Sequence, residues 1–199
     1  IELIYAGKPQ EAQSFLERAL KIAPQRAEIH NNLGLALGEQ GGYANAGILY
    51  RQAIALKPDY AEAHFNLGVS LIRQAKWEQA LLPLQRAVRI KPQSAGVHDS
   101  LGTIHAHLGR FSEAMACFEQ ALRLNPNYAQ ACYNLGTALM AQGHNEAAAA
   151  NFKKALILEP AYRDAHYNLG TLYLALNAVE ESLSCFRQAL QLQPEFALG

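Results

Sequence analysis

Seven histidines and three cysteines are the side chains in this 199-residue sequence best suited to ligate a metal or shuttle a proton. Four of the histidines, His30, His64, His98 and His166, fall in a recurring eight-residue phrase. It reads AEIHNNLG from Ala27, AEAHFNLG from Ala61, AGVHDSLG from Ala95, AQACYNLG from Ala129 and RDAHYNLG from Arg163, each 34 residues after the last. Residues recurring at such an interval form a row. Zinc needs its ligands about 2 Å from one point, and a row does not converge. His98 and His105, two helical turns apart, are too distant for joint chelation. Cys117, Cys132 and Cys185 are odd in number and lack CxxC spacing, which suits reduced, partly buried thiols in a cytoplasmic protein. No GxSxG, P-loop, dinucleotide-binding glycine pattern or HExxH is present. The segment is therefore expected to be non-enzymatic, with no catalytic residue, cofactor or metal. Its fourth-position histidines should pack between repeats with one nitrogen bonded. The polar chemistry left over is amide chemistry: Asn32, Asn66, Asn134 and Asn168 recur in the phrase, with Ser100 in the third copy. A carboxamide offers both donors and an acceptor.

These side chains are positioned by a strict 34-residue period. Prolines keep it (Pro24, Pro58, Pro92, Pro126, Pro160 and Pro194), as do Ala19, Ala53, Ala87, Ala121, Ala155 and Ala189, and the Leu-Gly pairs from Leu33-Gly34 to Leu169-Gly170. Full repeats span residues 27–60, 61–94, 95–128, 129–162 and 163–196; residues 1–26 are a partial repeat, and 197–199 start a further helix. Apolar residues at Leu67, Leu71 and Ile72, then at Ala80, Leu84, Ala87, Val88 and Ile90, give two helices per repeat. Gly7, Gly41, Gly109, Gly143 and Asn177 suit a left-handed residue at the turn between them. Ala75 holds that place in one repeat, at a cost of about 1 kcal/mol. The prolines end the second helix. Asp59 with Glu62, and Asn127 with Gln130, are spaced as capping boxes. Gly34 and Ala46 are small enough to let the two helices of a hairpin approach. Pro83 falls inside a second helix, where a kink near Leu82 is expected rather than a break.

Composition narrows the partners. Seventeen basic and seventeen acidic residues give zero formal charge, so there is no general pull toward nucleic acid or an anionic membrane. No apolar run of about 18 residues is present, and no leader peptide is visible although the sequence begins at Ile1.

The combination of Leu-Gly in the first helix with Ala114, Phe118, Ala121 and Pro126, or Ala148, Phe152, Ala155 and Pro160, in the second resembles the tetratricopeptide repeat (TPR). The resemblance covers the chain in register. It departs at the fourth position, which carries His or Cys132 rather than a large aromatic, and at Ser182, which replaces a small alanine. It implies an all-α, right-handed superhelical solenoid over 1–199, with first helices lining a concave face. On that reading Asn32, Asn66, Asn134 and Asn168 face the groove, flanked by Phe65, Tyr133 and Tyr167 and by Thr103, Thr137 and Thr171. The phrases carrying this amide row are similar to the TPR arm of O-GlcNAc transferase-type proteins, which holds acceptor polypeptides.

The expected function is a protein–protein interaction scaffold that takes an extended peptide in its groove. Glu28, Glu39, Glu62, Asp99 and Asp164 outnumber Arg73 there, which argues against a basic carboxylate clamp and against nucleic acid. Arg51, Lys57, Arg86, Arg89, Lys91, Lys153 and Lys154 gather on second helices as a solvated outer face. Two alternatives remain: the substrate-recruiting arm of a larger glycosyltransferase, and a structural protein that stacks end to end into filaments. The second arises because the last second helix, with Leu183, Phe186, Ala189 and Leu190, has no polar capping helix after it.

Overall fold

The computed structural model describes residues 2–192; Pro194 and the start of a further helix at 197–199 lie outside the described residues. Among the described residues all regular structure is helical. The helices are α1 (Glu2–Tyr5), α2 (Pro9–Ile22), α3 (Ala27–Glu39), α4 (Tyr43–Leu56), α5 (Ala61–Arg73), α6 (Trp77–Ile90), α7 (Ala95–His107), α8 (Phe111–Leu124), α9 (Ala129–Ala141), α10 (Asn145–Leu158), α11 (Arg163–Ala175) and α12 (Val179–Gln191). Each first helix starts on the first letter of the recurring phrase.

The turn within each hairpin is set by one left-handed residue. Gly7, Gly41, Gly109 and Gly143 have φ between 73° and 80°, and Ala75 and Asn177 adopt φ of 56° and 60°. Around Gly41 the N–H of Gly42 donates to Leu37 O at 2.9 Å and that of Gly41 to Gly38 O at 2.9 Å. This double closure is a Schellman motif, and it satisfies carbonyls the helix end would leave open. Ala75 completes the same pair of bonds, from Lys76 to Leu71 O at 2.9 Å and from Ala75 to Ile72 O at 2.8 Å, despite its Cβ.

Second helices stop because a residue before proline is pushed out of the helical region. Lys57, Lys91, Asn125 and Glu159 have ψ of 89°, 81°, 93° and 88°. Pro83 does not break α6, which runs through it from Trp77 to Ile90. The capping boxes do not form. The N-caps of α5 and α9 are Tyr60 and Tyr128, without side-chain cap bonds. Asp59 and Asn127 lie one residue too early, and Asn127 N–H instead donates to Asn125 Oδ1 at 3.2 Å. A proline-terminated helix and a tight link leave the polar residue inside the turn rather than at the helix start.

The helices group into two compact units, residues 1–104 and 105–199. In the first, α3/α4 and α5/α6 are hairpins, with α2 against α3 and α4 against α5. Ala27, Ala53 and Ala63 pack together where one hairpin meets the next, with Ile54 and Tyr60 beside them. In the second, α9/α10 and α11/α12 are hairpins, with α8 against α9 and α10 against α11. Ala148, Ala149, Phe152, Leu169 and Leu172 form one cluster there, and Cys132, Ala155 and Ala165 another.

The glycines of the Leu-Gly pairs at Gly34, Gly68, Gly136 and Gly170 make room for a large side chain rather than for a small one. A Cβ on Gly68 would stand 2.5 Å from Leu84 Cγ, and one on Gly136 2.8 Å from Phe152 Cε1. At Gly34 the neighbour is Tyr50, at 2.7 Å, so the expected Gly34–Ala46 approach is in fact glycine against ring. Ser182, the odd residue among the small alanines, is 1% exposed and donates to Gly170 O at 2.9 Å. That bond satisfies the buried hydroxyl.

Candidate functional site

Each fourth-position histidine is committed to the fold. Nε2 of His30, His64, His98 and His166 lies 2.8, 2.9, 3.0 and 3.0 Å from the carbonyl oxygens of Pro24, Pro58, Pro92 and Pro160. A carbonyl only accepts, so Nε2 carries the proton. The ring thus latches a first helix to the turn that ends the preceding repeat. Cys132 takes this place in the fourth full repeat and is wholly buried. Burial raises the thiol pKa of Cys117, Cys132 and Cys185. Among the described residues no cluster of three or more His, Cys, Asp or Glu could hold a metal ion.

Two members of the amide row are bonded to the preceding repeat. Asn66 Nδ2 donates to Asn31 Oδ1 at 3.0 Å, and Asn168 Nδ2 to the Tyr133 hydroxyl at 3.2 Å. Both bonds join the sixth residue of one phrase to the fifth residue of the phrase before. Asn134 Oδ1 accepts from Gln130 Nε2 at 3.0 Å, and Asn32 Oδ1 from Asn31 Nδ2 at 3.4 Å. These amides are half-buried. The bond from Asn66 or Asn168 uses one of the two amide protons, leaving the second proton and Oδ1.

The flanking residues divide. Tyr133 is packed between Phe152 and Tyr162, with ring centroids at 5.8 and 4.8 Å. Phe65 stands 3.5 Å from where a Gly96 Cβ would be, in a small cleft with Ala61, Ala87 and Val97. Tyr167 rests on Phe186 at 5.6 Å yet stays 58% exposed, so it presents a free face. Thr103, Thr137 and Thr171 each donate to the carbonyl four residues back, at 3.0, 3.0 and 3.1 Å. This habit of helical threonine fixes the rotamer and leaves the oxygen able to accept.

Charges at the repeat joints are paired on the surface. Lys57 reaches Glu28 at 3.5 Å and Lys91 reaches Glu62 at 3.6 Å. A backbone hydrogen bond, helped by Lys57, holds the Glu28 carboxyl below its ordinary pKa. No helix among the described residues is long and apolar enough to cross a membrane.

One feature escaped sequence reasoning. In the first unit a cleft of about 180 Å³ opens among Leu35, Gly38, Glu39, Tyr43, Tyr50, Asn66, Val69, Ser70 and Arg73. Its signal lay in departures from the repeat: Gly38 stands where later repeats have Ile72, Ala106, Met140 and Leu174, and Tyr50 where they have Leu84, Phe118, Phe152 and Phe186.

Residues 3–197 match the family model described as the cilia and flagella-associated protein 70 C-terminal domain, a TPR model. The chain belongs to this TPR family. No curated protein sequence matches. Solved TPR structures share the fold. PilF of Pseudomonas aeruginosa aligns with a TM-score of 0.85 and 22% identity over 98% of this chain and 89% of that one. YrrB, a TPR protein with an unusual peptide-binding site, aligns with a TM-score of 0.69 and 23% identity over 92% and 94%. A chain of the APC/C hetero-tetramer Cut9–Hcn1 aligns with a TM-score of 0.90 and 18% identity, over 97% of this chain and 38% of that one. TPR hairpins of this kind are protein-interaction scaffolds.

Proposed function

We propose that this TPR array holds an extended polypeptide against its first helices, with Asn32, Asn66, Asn134 and Asn168 pairing with the ligand backbone. The observation that carries the reading is the unsaturated amide. Asn66 and Asn168 are fixed by one bond each to the preceding first helix and keep a donor and an acceptor to offer. A backbone presents the same two groups whatever its sequence. Adjacent helices pack about 8–10 Å apart, and a strand advances about 3.3 Å per residue, so successive amides suit roughly every third ligand residue. Tyr167 adds contact area, and Thr103, Thr137 and Thr171 add acceptors. YrrB, with its peptide-binding site, lends the reading a structural precedent.

The test is a peptide array probed with the wild-type chain and with the Asn66→Ala/Asn134→Ala/Asn168→Ala variant. Loss of spots with retained helicity is the expected result. An unchanged spot pattern removes the proposal.

A further inference from the structure

We propose that the first unit carries a binding site for a free α-amino acid, in the cleft enclosed by α3, α4 and α5. This is a small-ligand site distinct from the peptide-holding face, although Asn66 borders both.

Four departures from the repeat converge there. Gly38 removes a side chain that is Ile72, Ala106, Met140 or Leu174 at the same place elsewhere. Tyr50 adds a hydroxyl where the other repeats end in Leu or Phe. That hydroxyl lies 3.6 Å from where a Gly38 Cβ would be, so it looks into the space the glycine vacates. Glu39 and Arg73 close the cleft with opposite charges, whereas the next three repeats have His107, Ala141 and Ala175. No other repeat pairs a glycine at the Gly38 position with a tyrosine at the Tyr50 position.

The polar groups of the lining are open to the cleft rather than spent on the fold. Tyr50 is 3% exposed, and its hydroxyl, which bonds to none of the described residues, is not among the buried atoms left without a partner, so the cleft itself gives it access. Burial, with the Glu39 carboxylate adding to it, keeps the phenol protonated and able to donate. Glu39 and Arg73 make no ion pair among the described residues, although both border the cleft. The Ser70 hydroxyl is already spent on Tyr43 O at 2.7 Å. What remains open is a carboxylate, a guanidinium, a phenol and the spare amide groups of Asn66, facing an apolar wall of Leu35 and Val69.

That pattern selects the ligand. A simple cation would gain Glu39 and meet Arg73; a simple anion would do the reverse. A zwitterion satisfies both, with its ammonium on Glu39 and its carboxylate on Arg73 and the Tyr50 hydroxyl. Leu35 and Val69 then favour an aliphatic side chain. The volume of about 180 Å³ exceeds the roughly 150 Å³ at which an apolar cavity already accepts benzene, which matches an amino acid about the size of leucine.

The test is a titration of the ¹⁵N-labelled chain with L-leucine, followed by amide shifts. Parallel titrations use 3-methylbutylamine, 4-methylpentanoate and N-acetyl-leucinamide, which lack the carboxylate, the ammonium and both charges. The expected result is saturable shifts confined to α3, α4 and α5, with each analogue weaker by about tenfold or more, the size of one lost charge-assisted bond. Gly38→Met, the residue that α9 carries at this place as Met140, should abolish the shifts by filling the cleft; Arg73→Ala, on the surface, should weaken them by about tenfold. The absence of saturable leucine shifts in the wild type overturns the proposal. So does equal binding of a singly charged analogue, or shifts that survive both substitutions. A peptide terminus carries only one of the two charges, so these outcomes are independent of the array experiment above.

Discussion

Replacing Gly136 by Ala and Gly38 by Ala are the same chemical change in equivalent first helices, and they should move stability in opposite directions. Gly136 lies inside α9, where Ala is favoured over Gly by about 0.5–1 kcal/mol, and Gly38 lies in the last turn of α3, where that preference is no larger. They differ in the space around them. A Cβ on Gly136 would stand 2.8 and 2.9 Å from two carbons of the Phe152 ring, and 3.2 Å from Ala148 O. Phe152 is fully buried and the third neighbour is backbone, so neither yields cheaply. Overpacking of this kind costs about 1–3 kcal/mol. A Cβ on Gly38 meets nothing nearer than the Tyr50 hydroxyl at 3.6 Å and Ala46 Cβ at 4.0 Å, which is ordinary contact. Gly136→Ala should therefore lose up to about 2 kcal/mol net, and Gly38→Ala should gain up to about 1 kcal/mol. Their difference removes most of the propensity term and leaves chiefly the steric one, at about 1–3 kcal/mol. Urea unfolding followed by circular dichroism measures it, with the slope m compared among variants because repeat arrays need not unfold as one step. A difference within about 0.5 kcal/mol, the scatter of neutral surface changes, would refute the claim that Phe152 and its counterparts require glycine opposite them.

Other perturbations read separate parts of the fold. Ala75→Gly relieves a left-handed alanine at φ 56° and should raise the urea midpoint by about 1 kcal/mol equivalent. His166→Leu removes the latch onto Pro160 O and should cost about 0.5–1.5 kcal/mol, seen as faster hydrogen exchange at the start of α11. Burial, with a smaller push from Glu39, raises the Tyr50 phenol pKa above its ordinary value. The folded pKa thus exceeds the unfolded one, so the phenol's contribution is complete below about pH 10 and is lost as pH rises further. Tyr50→Phe should flatten the fall in urea midpoint between pH 9 and pH 11, two assay settings spanning about that model value.

What could be read from the sequence was whatever recurs. The helix starts at Ala27, Ala61, Ala95, Ala129 and Arg163 follow from one period, because a repeated local preference adds across copies while its exceptions do not. The turn residues were legible for the same reason: only a left-handed backbone explains Gly41, Gly109 and Asn177 at equivalent places. Short-range polar pairs were not. Asp59 and Glu62 have capping-box spacing, but Pro58 fixes the chain so that the helix begins after Tyr60, and a one-residue shift is enough to undo a cap. Nor could the period name the partner of Gly34, since both Ala46 and Tyr50 lie on the facing helix and only packing chooses between them.

The amide row shows the limit most plainly. Periodicity marked Asn66 and Asn168 as unneeded by the core, and the groove reading of the TPR family made them candidate contacts for a ligand. The structure gives each a tether to the previous repeat, through Asn31 in one case and the Tyr133 hydroxyl in the other. Two unlike acceptors serve one donor position, so no single consensus residue would have revealed the bond. The tether is compatible with the proposed peptide contact: a primary amide held by one proton has lost rotational freedom and kept its remaining groups, which would lower the entropy cost of using them. The cleft at Gly38 inverts the lesson. Its distinctive lining comes from positions where the repeat is broken, Gly38, Glu39, Tyr50 and Arg73, set beside the recurring Asn66. A scaffold whose stability is spread over copies can spare such breaks for a ligand in one of them, because each hairpin is supported chiefly by its neighbours.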